Sequence, residues 1–188
     1  VLHPGEREYE RADQRLLPSN GLSCVLRVQG RRATVLLPGD IGRDQERTLV
    51  SRHAAGLIDL RAHVLLVPHH GSRTSSSDPF LDAVQPRIAV AQLGWRNRYG
   101  HPAAEVEARY LARGIKWLRS DRCGAWRWSS AAAAGGADAS ANATDTAPDT
   151  AGGRGRCERE ARARYWHAPA WGDGPDLAKS RSSNPSSP

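Results

Sequence analysis

Three short polar clusters in this 188-residue chain each follow an apolar run. Leu36-Leu37-Pro38-Gly39-Asp40 ends in a carboxylate, and Val67-Pro68-His69-His70-Gly71-Ser72 ends in a histidine pair. Gln92 to Tyr99 leads into Gly100-His101-Pro102. Carboxylate and imidazole donors at the carboxyl ends of neighbouring strands suit a transition-metal site. Strands hold such ligands rigidly, while loops leave coordination positions open for water and substrate. A glycine beside each cluster (Gly39, Gly71, Gly100) lets backbone pass close to an ion or bound group. Each cluster also has a plainer reading. Asp40 can cap the helix that follows, and His69 and His70 can be loop residues bonded to backbone. His101 can simply stand at a helix start, and the serine-rich Ser72 to Ser77 can be ordinary loop if no phosphate approaches. Taken jointly, three clusters at three strand ends favour metal.

The elements that must position these residues follow from pattern. Ser23 to Val28 and Ala33 to Leu37 are β-runs joined across Gly30-Arg31-Arg32, which predicts a hairpin. Asp44 to Leu60 is helical in pattern, with Asp44 as a candidate N-cap and Leu49, Val50 and Leu57 on one side. Val64 to Val67, ended by Pro68, and Ile88 to Leu93 read as strands buried on both faces. Asp78-Pro79 opens a helix through Val84, and Ala103 to Arg113 is a helix stopped by Gly114. Ile115 to Leu118 and Ala125 to Trp128 add two strands. Strands alternating with helices predict an α/β layered domain over residues 1–128.

Residues 129–155 are an Ala/Gly/Ser-rich tract expected to be a disordered linker. Within 156–188 a short Arg-rich helix is expected over Arg156 to His167, carrying Tyr165-Trp166, with Asp173 to Pro188 disordered. Val1 to Leu17 is charged and poorly periodic. Cys24, Cys123 and Cys157 are odd in number and lack CxxC spacing, so neither a zinc knuckle nor a disulfide framework is expected. Cys24, inside an apolar run, is expected to be a small core residue. The net charge of +7 lies wholly in 1–128, with 20 Lys+Arg against 13 Asp+Glu. Such a surface can attract a polyanion. Lysine occurs only at Lys116 and Lys179, which equally suits an arginine-biased composition decorating solvated faces. No apolar stretch approaches the ~20 residues of a membrane span. There is no methionine, and the chain reads as a piece of something longer.

Four stretches, in order and spacing, resemble the C-terminal domain of the ComEC family of DNA-uptake proteins. They are Asn20 to Leu26, Leu36 to Ile41, Val64 to Ser72, and Asn97-Arg98-Tyr99-Gly100-His101-Pro102. The resemblance implies the C-terminal half of a metallo-β-lactamase αββα sandwich, with a centre of one or two divalent ions, zinc or manganese. It makes Asp40 a carboxylate ligand able to bridge two ions and His101 the last histidine ligand. His69 or His70 becomes a ligand or a phosphate-facing group, and His3 matches a histidine after the first half-domain. The family's His-x-Asp-x-Asp-His motif belongs to that first half and is expected before Val1. His63 stands where relatives usually carry Asp, and Pro38 where they carry Thr.

The function so implied is metal-assisted hydrolysis of a DNA phosphodiester, with His70 or His101 as general acid. Ser72, Arg73, Arg96 and Arg98 are the expected nucleic-acid contacts, whereas Arg31 and Arg32 on the hairpin turn are as readily solubilising. The implied partners are DNA, the first half-domain and the membrane channel of the same protein. The implied setting is the inner membrane, with this domain on its extracytoplasmic side. A non-catalytic DNA-docking module of the same fold, or a hydrolase acting on a lactone or thioester, are the rivals. The fragment alone is expected to be inactive and poorly folded.

Overall fold

In a computed structural model, residues 1–13, 19–130 and 154–161 are described. The expected α/β layering is present. Five strands form one sheet in the order β1 (Leu26–Gln29), β2 (Thr34–Leu37), β3 (Val64–Leu66), β4 (Ile88–Ala91) and β5 (Lys116–Arg119). The first pair is antiparallel, with Leu26 opposite Leu37, as the hairpin reading required. The rest are parallel, with Leu65 opposite Leu36 and Ala89.

Alternation along each strand separates two faces. Leu36, Leu65, Ala89 and Ala91 pack in one buried cluster. From the helices it takes Leu49 of α2 (Arg43–Ala54), Phe80, Leu81 and Val84 of α3 (Asp78–Val84), and Val106 and Tyr110 of α4 (Ala104–Ala112). Burying each large side chain is worth about 1.5–3 kcal/mol, and a one-residue slip would turn the set outward, so register is tightly specified. On the other face Val64, Ile88 and Val90 pack with Val35, Leu66 and Leu118 under Trp126 and Trp128. That face stays open at the sheet edge, where Leu26 and Val28 of β1 are exposed.

Trp126 and Trp128 belong to β6 (Trp126–Ser129), which pairs antiparallel with β7 (Arg154–Cys157). Arg156 and Cys157, expected to begin a helix, are therefore strand, and α6 follows as Glu158–Ala161. Cys123, at the end of α5 (Ser120–Cys123), forms a disulfide with Cys157. This overturns the expectation of no disulfide. Parity of cysteines cannot reveal a pair when the third stays free. That third one, Cys24, is exposed and not a core residue. Of the linker expected over residues 129–155, Ser129 ends β6 and Arg154 and Gly155 begin β7, because the two strands pair with each other. Residues 131–153, Tyr165-Trp166 and Asp173 to Pro188 lie outside the described residues.

Two other differences are local. Glu6–Asp13 form α1, with the Glu8 carboxylate accepting the Gly5 N–H at 2.8 Å. The helix expected over Asp44 to Leu60 ends at Ala54. Gly56 takes φ +71°, and the Gly56 and Leu57 N–H groups donate to the His53 and Arg52 carbonyls, a Schellman closure. Leu57, beyond it, is exposed rather than on the buried side. The N-cap is Gly42, and Asp44 sits in the first turn facing Arg47. Among the described residues no helix is long and apolar enough to cross a membrane.

Candidate active site

Because β2, β3 and β4 are parallel, the loops after them share one rim of the sheet. Asp40 follows β2 through Gly39, which takes φ +61°; a Cβ there would lie 3.2 Å from the Cys24 carbonyl. The capping reading of Asp40 fails, because the helix is capped at Gly42. The carboxylate is instead half-exposed, with Oδ1 3.5 Å from His70 Nε2.

His69 and His70 lie after β3 in a turn over Pro68–Gly71, both in the left-handed region at φ 49° and 57°. Each such non-glycine residue costs about 1–2 kcal/mol, so the surroundings must impose the conformation. They do so from three sides. The His69 N–H donates to the Gly39 carbonyl at 3.0 Å, joining the turn to the Asp40 loop. The Ala103 N–H donates to the Gly71 carbonyl at 2.9 Å, joining it to the His101 loop. From below, Ser75 Oγ donates to the Pro68 carbonyl at 2.8 Å.

The His70 ring is fixed by its Nδ1, 2.8 Å from the Gln92 carbonyl just beyond β4. A carbonyl accepts only, so Nδ1 carries the proton and Nε2 presents its lone pair. That lone pair faces the Asp40 carboxylate. The pair offers a carboxylate oxygen and an imidazole nitrogen together, the donor types a divalent metal ion takes. Tethering of the far imidazole nitrogen to a carbonyl is also how metal-ligating histidines are held.

His101 closes the rim. Asn97 clamps it at both ends, its Nδ2 donating to the His101 carbonyl (2.8 Å) and its Oδ1 accepting the His101 N–H (3.0 Å). The ring stands edge-on to His69, centroids 6.4 Å apart, and stacks on Tyr99 at 6.1 Å. Desolvation, then repulsion from His69 and His70, holds its pKa below the usual histidine value. A neutral imidazole is the ligand form. A cleft of about 240 Å3 opens between His70, Gln92, Asn97, Tyr99 and His101.

The remaining sequence-selected residues make other contacts. His3 is buried on a bridge to Val25, with Nε2 2.8 Å from the Gly21 carbonyl and Nδ1 unpartnered among the described residues. Ser72 is buried, its hydroxyl 3.1 Å from that of Thr74. Arg73 is exposed and pairs with Glu105 at 3.1 Å. Arg96 lies over the Trp95 ring and Arg98 over the Tyr99 ring. His63 sits at the opposite end of the sheet, where its Nδ1 accepts the Thr34 N–H at 3.0 Å.

Sequence reasoning missed the support beneath the histidine turn. Glu46 of α2 is fully buried and accepts the Ser76 and Ser77 N–H groups at 2.5 and 2.8 Å. Ser76 Oγ meets the buried Tyr110 hydroxyl at 2.9 Å. The serines of Ser72 to Ser77 are therefore largely consumed internally. A lone Glu in a helix carries no signal of this, and Gln92 acts through its backbone.

By donor type, one carboxylate and three imidazoles fit a divalent transition metal, and Asp40 with His70 is the one close carboxylate–imidazole contact of the rim. Among the described residues no three His, Cys, Asp or Glu groups close on a common point as a full ligand set.

No family model matches the chain. Curated relatives do. Competence protein ComA of Neisseria gonorrhoeae is 44% identical over 124 residues, covering 66% of this chain and 16% of that protein. ComE operon protein 3 of Bacillus subtilis is 31% identical over 56% of this chain and 13% of its own length. Recombination protein 2 of Haemophilus influenzae is 37% identical over 48% of this chain and 11% of its own. The chain thus spans about a sixth or less of the relatives it matches. Joined to the motif resemblance, these matches make the chain a homologue of one part of the ComEC-family competence proteins.

Proposed function

We propose that this chain is the second half of a metallo-β-lactamase-type αββα domain in a membrane-associated DNA-uptake protein. In this reading Asp40, His70 and His101 contribute to a divalent-metal centre that hydrolyses DNA phosphodiester bonds. The observation that supports it most is the lone-pair side of His70 set 3.5 Å from Asp40, with His69 and His101 on the same rim. A bound zinc or manganese would supply an activated water and neutralise charge on the phosphate. The chain's own groups do the rest. Gln92 and Asn97 hold the His70 ring and the His101 backbone in place, and the left-handed turn aims His69 and His70 outward. His101, kept neutral, suits ligation better than the general-acid role expected for it. Further ligands come from polypeptide outside these 188 residues, and an extracytoplasmic placement follows from the same reading.

The test is metal content and manganese- or zinc-dependent DNA cleavage by the complete protein, with and without Asp40→Ala. Loss of both metal and cleavage is expected. Unchanged cleavage rules out the role given to Asp40, and DNA binding with neither metal nor cleavage favours the non-catalytic docking module.

A further inference from the structure

The loop that carries His101 also carries two large aromatic rings left in solvent. Trp95 is 54% exposed and Tyr99 69% exposed. Rings of this size contribute most when buried, so two beside one cleft leave stabilisation unused in the free protein. Tyr99 has one guanidinium over it and Trp95 two. Arg98 Cζ lies 5.3 Å from the Tyr99 centroid, and Arg96 and Arg159 lie 6.0 and 5.7 Å from the Trp95 centroid. Arg159 arrives from α6, on the segment tied down by the Cys123–Cys157 disulfide.

We propose that Trp95 and Tyr99, with Arg96, Arg98 and Arg159, form a stacking platform for unpaired nucleotide bases, so that the strand held at this rim is single-stranded. The inference rests on the reading of the rim as a DNA-cleaving site and names its substrate form. Aromatic faces bind bases irrespective of sequence, while nearby arginines neutralise the backbone. Bases inside a duplex are already stacked on one another and offer no free face. The Tyr99 ring lies nearly parallel to His101, 20° between planes, and lines the same cleft as His70, so a base stacked on its open side sits beside the histidine rim.

The test is fluorescence anisotropy of a labelled oligothymidylate of about 12 nucleotides and of a duplex of equal length, bound by the full chain in EDTA. Excluding metal separates this inference from the hydrolytic one, because binding is read whether or not cleavage ever occurs. The single strand is expected to bind more tightly. Trp95→Ala and Tyr99→Ala should each weaken it by roughly five- to hundredfold, while Trp95→Phe and Tyr99→Phe keep most of the affinity. If Trp95→Ala lowers the melting temperature, Trp95→Leu, which keeps apolar bulk without a π face, should show the same loss. Equal affinity for strand and duplex, or alanine and leucine variants that bind like the parent, would overturn the platform.

Discussion

Gly71 and Pro102 touch so closely that no side chain fits between them: a Cβ on Gly71 would lie 2.7 Å from the Pro102 Cβ. Gly71 also takes φ +80°, which side chains rarely adopt. This contact sets the histidine turn against the His101 loop. Gly71→Ala is expected to cost about 2–4 kcal/mol in urea unfolding, combining overpacking with left-handed strain. Gly56→Ala is the control. Gly56 has a similar φ of +71° but nothing within 4 Å of its Cβ position, so it should cost only about 1 kcal/mol. Equal effects at the two glycines would show that the Pro102 contact is not what matters.

Glu46 is the buried anchor of the serine loop, and its removal leaves two backbone N–H groups without their acceptor. Glu46→Ala should lose about 2–5 kcal/mol. The pH dependence has a definite sign. Burial, opposed in part by the Ser77 and Ser76 hydrogen bonds and Arg43, raises its pKa above 4.5. A raised carboxyl contributes stability that is complete below the unfolded value and is lost as pH rises through the folded one. The advantage of the parent over Glu46→Gln should therefore shrink as pH rises above 4.5. An advantage that grows with pH contradicts this account.

What could be read from the sequence was local. An apolar run ending in Gly-Asp or His-His-Gly reports a strand end and its ligand-type residue within a few positions, whereas His101 stands ten positions beyond the end of β4. Parallel strands then bring Asp40, His69, His70 and His101 to one rim. The supports are non-local and left no such trace. Glu46 reaches Ser76 across 30 positions, and Cys123 reaches Cys157 across 34. Cys24 resembled a core residue because its neighbours are apolar, yet it is exposed. Gly56 did carry a helix-stop signal, and Leu57, Ile58 and Leu60 beyond it masked that signal.

The three histidines are electrostatically linked, and one titration should show it. His101 is expected to titrate below ordinary histidine in metal-free protein, through desolvation first and then the charges of His69 and His70. His69→Gln should move its midpoint upward, read from its imidazole proton shift by NMR. A depressed histidine lends stability that is present above the unfolded value of 6.5 and lost as pH falls through the folded one. His101→Gln should therefore destabilise the protein less at about pH 5 than at about pH 8. No movement on His69→Gln or on His70→Gln would leave desolvation as the whole cause.

The disulfide holds β7 and α6 against the body of the domain, and its removal should be felt in two places. Closing a 34-residue separation restrains the unfolded chain by about 3–4 kcal/mol in the chain-entropy account. Cys157→Ser, or dithiothreitol on the parent, should lower the urea midpoint accordingly, whereas Cys24→Ser should leave it unchanged because that thiol is exposed and unpaired. Arg159 links the same segment to Trp95, so the loop before His101 should also lose amide-exchange protection when the bond is reduced. Cys24 should label first with a thiol reagent in the oxidised protein, and Cys123, which is buried, only after reduction. A parent protein that unfolds identically with and without reductant would mean that β6 and β7 stay paired through their own ladder, and that the cysteine link adds nothing to the site.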